Sequence, residues 1–339
     1  VEDVQPGDPT LRHLLRSDIP VIRWAEIEAA PGEFFREQRT DVLDTHNISV
    51  DVRLFISGCS ALPPLVVSHH GSYEAASEYV TGSFVNYMRS VTSFWLYLDE
   101  KNTRPLLHHG LPTDNFLRSF NALPAELPQY QSRFEVRTQL GIADHALALV
   151  LASRAIPEKG WEIAIEVVQR LNNSNEGAAH LVLIGGGPVH ERLCSVALPS
   201  CVSLCGHVDQ PQRLYRGFDT GVFPSKYSGE SFPRFLLECF QAGLPVVSTT
   251  IGAVPTIYGH DRATWPGGLV SHLTSADELA EAIATVLRRM RNSPATLASW
   301  RKNALATAQR FSMDKLVSFY EDVYARALQN DASLSQSTG

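Results

Sequence analysis

The sequence predicts an α/β protein made of two doubly wound domains. Three observations carry this reading. The chain has 339 residues, and at roughly 100 to 200 residues per domain two cores are expected. Apolar strand-like runs alternate with helix-period segments in both halves, the pattern of parallel sheets with crossover helices. The composition, 44% hydrophobic and 19% charged, is that of a chain able to bury sizeable cores.

In the first third, Ile19 to Ile27, Asp41 to His46, Pro63 to Gly71 and Ser93 to Asp99 read as strands, and Tyr73 to Val91 as a helix. From 117 to 144 the text is mixed and carries Pro124 and Pro128. It reads as an interdomain connection ending in a short helix, "SRFEVRTQLGI". The second set is more regular. "ALALVLAS", "AHLVLIGGG", "CVSLCG", "TGVFPS", "LPVVSTT" and "LVSH" read as strands, with helices at "GWEIAIEVVQRL", "PQRLYRGF", "SFPRFLLECFQAG" and "SADELAEAIATVLRRMR". Ser275 and Glu278 stand at capping-box spacing for the last of these. A further helix is expected at "SMDKLVSFYEDVYARAL", followed by a frayed tail. The expected domains are 1–125, 126–311 and a closing helix at 312–330. Two such domains imply a cleft, with ligand at the carboxyl ends of the strands.

The formal charge of -7 argues against a protein that wraps nucleic acid, which needs a net basic face. Cys59, Cys194, Cys201, Cys205 and Cys239 are odd in number and lie in apolar or strand-like contexts, so free buried thiols in a cytoplasmic protein are expected rather than a disulfide framework. No apolar run approaches the ~20 residues of a membrane span, and no signal-peptide pattern opens the sequence. The basic "LRRMRN" (Leu287 to Asn292) suits a solvated helix end and also leaves peripheral contact with the inner membrane face open.

The chemistry concentrates in the second half. In "PSKYSGESFPRFLLECF" two glutamates, Glu230 and Glu238, stand eight positions apart across the start of a helix. Pro233 is expected in the first turn, where its missing N–H costs nothing, and the N–H groups of that terminus can face an anion. Glu230 lies just ahead of it and Glu238 two turns inside, each able to accept hydrogen bonds from hydroxyls. A helix cap and a solvated helix residue fit the spacing as well, although the apolar neighbours of Glu238 make an unpaired carboxylate expensive there. Arg154 and Lys159 share the strand-to-helix loop "SRAIPEKGW", where a fork and a point charge could neutralise a diphosphate; a solvated basic loop is the alternative. "LIGGGPVHER" lacks the third glycine of a dinucleotide fingerprint, since His190 stands there. Gly187 and its neighbours therefore mark a tight turn with close backbone approach. His70 in "SHHG" closes a strand of the first domain, placed to reach a ligand or simply to pack. No Asp-x-Asp pair occurs in the chain, so no metal is expected, and the charge of a diphosphate falls to Arg154, Lys159 and backbone N–H groups.

Together these segments resemble the retaining GT-B glycosyltransferases, in particular glycosyltransferase family 4. "SGESFPRFLLECFQAGLPVVS" is similar to that family's E-x7-E segment, "SRAIPEKG" to its R-x4-K-G loop and "IGGGP" to its G-x-G-P turn, in the same order from about Leu149 to Leu328. The resemblance implies two Rossmann-like domains and transfer of a hexose, with retention and without metal or other cofactor, from a UDP- or GDP-linked sugar to a hydroxyl acceptor on a glycan, glycolipid or natural product. It implies that Arg154 and Lys159 hold the donor diphosphate and Glu238 the ribose, and that Glu230 holds the transferred sugar. The backbone of Ser231, Phe232, Pro233 and Arg234, and the turn at Gly187, would complete the donor site, with His70 near the sugar. No side chain reads as a nucleophile, so front-face displacement is expected, the departing phosphate assisting deprotonation of the acceptor. Ser231 and Pro233 replace the usual glycines of the family's loop, and Thr256 stands where a glutamate is common. "LRHLLRSDIPVIRW" looks like the end of a first helix and a second strand, so the first domain is expected to lack its opening strand. That departure keeps open a nucleotide-sugar-binding protein with little catalysis. A dinucleotide oxidoreductase rests on "GGGP" alone.

Overall fold

The computed structural model describes residues 22–174 and 177–337. Contacts divide the chain into two compact units: the residues up to Arg118 together with those from Tyr320 onward, and Ser119–Phe319.

Among the described residues the first unit holds four parallel strands, β1 (Leu43–Thr45), β2 (Leu65–His69), β3 (Thr92–Tyr97) and β4 (Phe116–Arg118), laid side by side in sequence order. Every residue of β2 is buried, as a strand covered on both faces requires. Its core gathers Leu54, Leu65, Val67, Phe84, Met88 and Trp95. The helix Ile48–Ser57 starts on the Asn47 side chain, which accepts from the Ser49 N–H, and stops at Gly58 in the left-handed region. Tyr324 and Arg326 of the last helix dock on this unit, the Tyr324 hydroxyl donating to Asp44 at 2.7 Å and the Arg326 guanidinium lying 4.8 Å from the Phe94 ring.

Several local expectations change here. The strand expected at Ile19 to Ile27 lies partly outside the described residues. Within them, Trp24–Glu26 form a 3-10 turn, closed by Ile27 N–H to Trp24 O at 2.8 Å; the alternation that would make a strand breaks at the adjacent apolar residues Trp24 and Ala25. The helix expected over Tyr73 to Val91 is broken into Ser72–Ala75, Ser77–Tyr79 and Gly82–Val91. Thr81 starts the last piece by accepting from the Phe84 N–H. The final helix runs Met313–Ser337, through the tail expected to fray, since no glycine or proline interrupts it before Gly339.

The second unit holds six parallel strands in the order β10-β9-β8-β5-β6-β7. They are β5 (Leu147–Ala152), β6 (Ala179–Ile184), β7 (Val202–Gly206), β8 (Thr220–Phe223), β9 (Val246–Thr249) and β10 (Gly267–Val270). The helix Trp161–Asn172 buries Trp161, Ala164, Val167, Val168 and Leu171, one stripe at helical spacing. Ala276–Arg291 opens with the capping box expected of Ser275 and Glu278. The helix Pro294–Ala308 escapes sequence reading because its apolar residues are spread round the axis rather than gathered in a stripe. All five cysteines are free; Cys239 is buried as expected, but Cys194 is exposed, on the outer side of the short helix Pro188–Cys194.

Candidate functional site

Strand order places the site. The chain lays β5, β6 and β7 outward in one direction, then returns to lay β8, β9 and β10 on the other side of β5. The carboxyl ends of β5 and β8 flank the point of reversal, where loops diverge and leave a crevice. The loop after β5 carries Arg154 and Lys159; the loop after β8 carries Glu230 and Ser231.

These loops are held by backbone as much as by side chains. Ala155 N–H donates to Gly186 O at 2.8 Å and Val189 N–H to Ala155 O at 2.9 Å, fastening the glycine turn to the basic loop. Gly187 has φ 135°, and a Cβ there would stand 2.9 Å from the Ala155 carbonyl oxygen. It serves the close approach expected of it. On the other side Gly252 (φ 55°) would bring a Cβ within 2.3 Å of the Glu230 carbonyl oxygen, and Ala253 N–H donates to Ser231 O at 2.8 Å. Asn121 Nδ2 donates to Phe232 O at 2.8 Å, and the Phe232 ring sits edge-on to Phe311 at 5.3 Å. Pro233 is not the first helical residue but the N-cap. The helix runs Arg234–Gln241, and no side chain caps its amino end, because proline's ring offers no acceptor.

Two groupings of charge result. Arg154, Arg234 and Glu238 line a cavity of about 540 Å³ bounded also by Gly185 and Gly186 after β6, His207 and Val208 after β7, and Tyr215. That volume is in the range of small-molecule sites. Glu238 is mostly covered, with Arg234 at 3.7 Å. Burial raises its carboxyl above the ordinary range, against smaller opposing effects of Arg234 and Tyr215. The buried Tyr215 hydroxyl beside it makes no hydrogen bond of good geometry. The second grouping is the ion pair of Lys159 with Glu230, both buried. Tyr227 lies under both cations of the first loop, its ring centre 5.5 Å from the Arg154 guanidinium and 4.9 Å from Lys159 Nζ.

His70 belongs to the other unit. Its Nε2 is 2.9 Å from His46 Nδ1, the rings stack at 5.1 Å, and His46 Nε2 is 3.4 Å from Asp44 Oδ2. The hydrogen bond to Asp44 raises His46, whereas burial, then the His46 charge, lowers His70. Of the two adjacent histidines, His69 is the packed one. Sequence reasoning missed Tyr227, Tyr215 and His207. The one signal for Tyr227 was an aromatic residue among the small polar residues of "PSKYSGES".

A pair of parallel α/β units, one carrying a charged crevice at its switch point, defines the GT-B class of fold. Residues 146–289, which span the sheet of the second unit and its crevice, match the family model described as "Glycosyl transferases group 1". A Streptomyces coelicolor protein named as an exopolysaccharide phosphotransferase is 29% identical over 181 residues, 52% of this chain and 18% of that one. A D-inositol 3-phosphate glycosyltransferase of Catenulispora acidiphila is 28% identical over 210 residues, 57% of this chain and 46% of that one. The chain thus spans less than half the length of either relative. The crystal structure of Anabaena HepE in complex with UDP-glucose superposes with a TM-score of 0.66 at 21% identity, over 91% of this chain and 82% of that one. That likeness is one of fold.

Proposed function

We propose that the chain binds a nucleoside diphosphate sugar at the carboxyl edge of the second sheet and transfers the sugar, with retention and without metal, to a hydroxyl of a carbohydrate or lipid-linked acceptor. The observation that carries this is that Arg154 and Glu238 line one cavity at the switch point, with Lys159 and Glu230 paired on the same two loops. Arg154 offers a fork and Lys159 a point charge to a diphosphate, and Glu238 offers acceptors to the ribose hydroxyls. In the protein alone Lys159 and Glu230 neutralise each other. A diphosphate gives Lys159 a second anion and frees the Glu230 carboxylate for sugar hydroxyls. As the bond to the sugar breaks, negative charge grows on the leaving phosphate, and the fixed cations stabilise that charge more than the ground state. His70, backed by His46 and Asp44, is the first unit's candidate for contact with substrate.

Uridine nucleotides are the first to try, since the HepE structure of like fold contains UDP-glucose. The test is calorimetry with UDP and GDP on the parent and Arg154→Ala, followed by turnover with the matching sugar nucleotide. Binding that Arg154→Ala weakens by about tenfold, a loss of about 1.4 kcal/mol, together with release of an α-linked product, is the expected result. Equal affinity in parent and variant removes the site; binding without turnover removes the transferase.

A further inference from the structure

The opposite edge of the second sheet holds a concentration of guanidinium groups that the donor reading leaves unused. Asp219, just before β8, accepts from Arg137 Nη2 at 2.7 Å and from Arg133 Nη1 at 2.8 Å, with Arg301 Nη2 at 3.5 Å. Arg137 is buried and spends its remaining donors on the carbonyls of Gly217, Ala143, Asp144 and Ala146. The Ala148 N–H adds a further bond to Asp219 Oδ2 at 2.9 Å. Arg137 therefore suffices to neutralise Asp219 and to tie it to the strand. Burial lowers the Arg137 value, Asp219 opposes this, and the charge of Arg133 again lowers it: the second cation works against the first.

Arg133 and Arg301 are each about half exposed, at 44%. They line a cavity of about 400 Å³ with a third arginine, Arg216, whose guanidinium rests 3.9 Å from the Tyr130 ring centre. Phe218, Leu244 and Leu297 supply an apolar wall. An adjoining cavity of about 340 Å³ shares Arg133, Asp219 and Leu297 and adds Arg291 and His145, with Asp144 as its further carboxylate. A guanidinium has five N–H donors, and Arg133 and Arg301 each direct one toward the single carboxylate of Asp219. Positive charge and donors are both in excess there, beside apolar surface, inside a cavity of ligand size.

We propose that Arg133, Arg216 and Arg301 form a second binding site, for a phosphate monoester with an apolar body. A monoester carries close to two negative charges at neutral pH and three acceptor oxygens, which suits several forks better than a carboxylate does. The site is separate from Arg154 and Glu238, although the Tyr215 side chain walls both cavities, so the test must separate them.

Phenyl phosphate, inorganic phosphate and benzoate are titrated calorimetrically into the full chain, its Arg154→Ala variant and its Arg216→Ala variant. Arg216 is exposed and stacks only on Tyr130 among its described contacts, so its removal leaves the fold intact. Saturable phenyl phosphate binding, stronger than that of inorganic phosphate, weakened about tenfold by Arg216→Ala and unchanged by Arg154→Ala, is expected. Loss on Arg154→Ala with Arg216→Ala unaffected assigns the binding to the first cavity and overturns the proposal. Benzoate binding as well as phenyl phosphate overturns the phosphate assignment, and no saturable binding to the parent overturns the site. None of these outcomes depends on whether a nucleotide sugar binds at the carboxyl edge.

Discussion

The two sheets share one kind of parallel ladder and differ in strand order. Among the described residues the first runs β1-β2-β3-β4 without reversal; the second turns back at β5. The reversal opens a crevice, and two groups of charges in the second unit lie beside it, paired or facing a cavity: Lys159 with Glu230, and Arg154 and Arg234 with Glu238. In the first unit the fully buried titratable groups are handled in another way. Asp51 sits wholly inside, accepting from Thr45 Oγ1 at 2.5 Å and Tyr73 Oη at 2.8 Å, and burial, outweighing those bonds, pushes it up to about 6. His69 is held down to about 3 by burial, with a smaller push from the His70 charge. In the second unit the buried Lys159 and Arg137 stand in ion pairs with Glu230 and Asp219; in the first, burial shifts Asp51 and His69 toward their neutral forms.

The largest expected effect breaks that pairing. Lys159→Ala leaves the Glu230 carboxylate buried without its cation, which costs about 3–5 kcal/mol of stability; on the proposed function it also takes a fixed charge away from the leaving phosphate, and a rate lower by about two orders of magnitude or more is expected. The double variant Lys159→Met with Glu230→Gln separates the two roles. Denaturant unfolding is expected to recover most of the lost stability while turnover stays lost. If the double variant is as active as the parent, the pair is structural and the donor site lies elsewhere.

How much of this was legible beforehand follows from the range of the interactions. The strand segments at β2, β3 and β5 to β9 could be read because their apolar runs are local. Arg154 and Glu238 stood out because a basic loop and a charged residue on an apolar helix are local anomalies. Strand order is not local, and neither is the pairing of Lys159 with Glu230 across 71 positions or of Arg137 with Asp219 across 82. Pro233 was placed one position too far into its helix for a subtler reason: proline tolerates the N-cap and the first turn alike. The resemblance of the E-x7-E segment supplied roles for residues whose spacing alone left a solvated helix open.

Next in size is the pH dependence set by Asp51. Its value in the folded chain, about 6, lies above the ordinary 3.8, so the folded state holds a proton that the unfolded state gives up. The stability tied to that proton is complete below about pH 4 and is lost as pH rises through about 6, a span worth about 3 kcal/mol at 1.36 kcal/mol per unit. Asp51→Asn removes the titration. Parent and variant are compared by thermal unfolding from pH 4 to pH 7.5. The variant is expected to be the less stable at the acid end, where it has lost an acceptor, and to gain on the parent as pH rises. A difference that stays constant across the window sinks the assignment and with it half of the contrast between the units.

The smallest effect concerns His69, whose two ring nitrogens are buried without a hydrogen-bond partner. Its ring packs edge-on to Tyr73 at 4.1 Å and stacks on Trp95 at 5.5 Å, so the site already suits an aromatic hydrocarbon. His69→Phe keeps the ring contacts and removes two unsatisfied polar atoms, each of which costs roughly 1–3 kcal/mol when left unpaired. The slightly larger ring returns part of that gain as overpacking, leaving a net stabilisation of about 1 kcal/mol at pH 7.5. Because the folded value is depressed, the unfolded chain takes up a proton first as pH falls below about 6.5. The parent therefore weakens in acid, and the gap to the variant should widen from pH 7.5 to pH 5. A variant less stable than the parent at both values would mean that the imidazole is engaged by a partner in solution, and the neutral, purely packed role given to His69 beside the exposed His70 would fall.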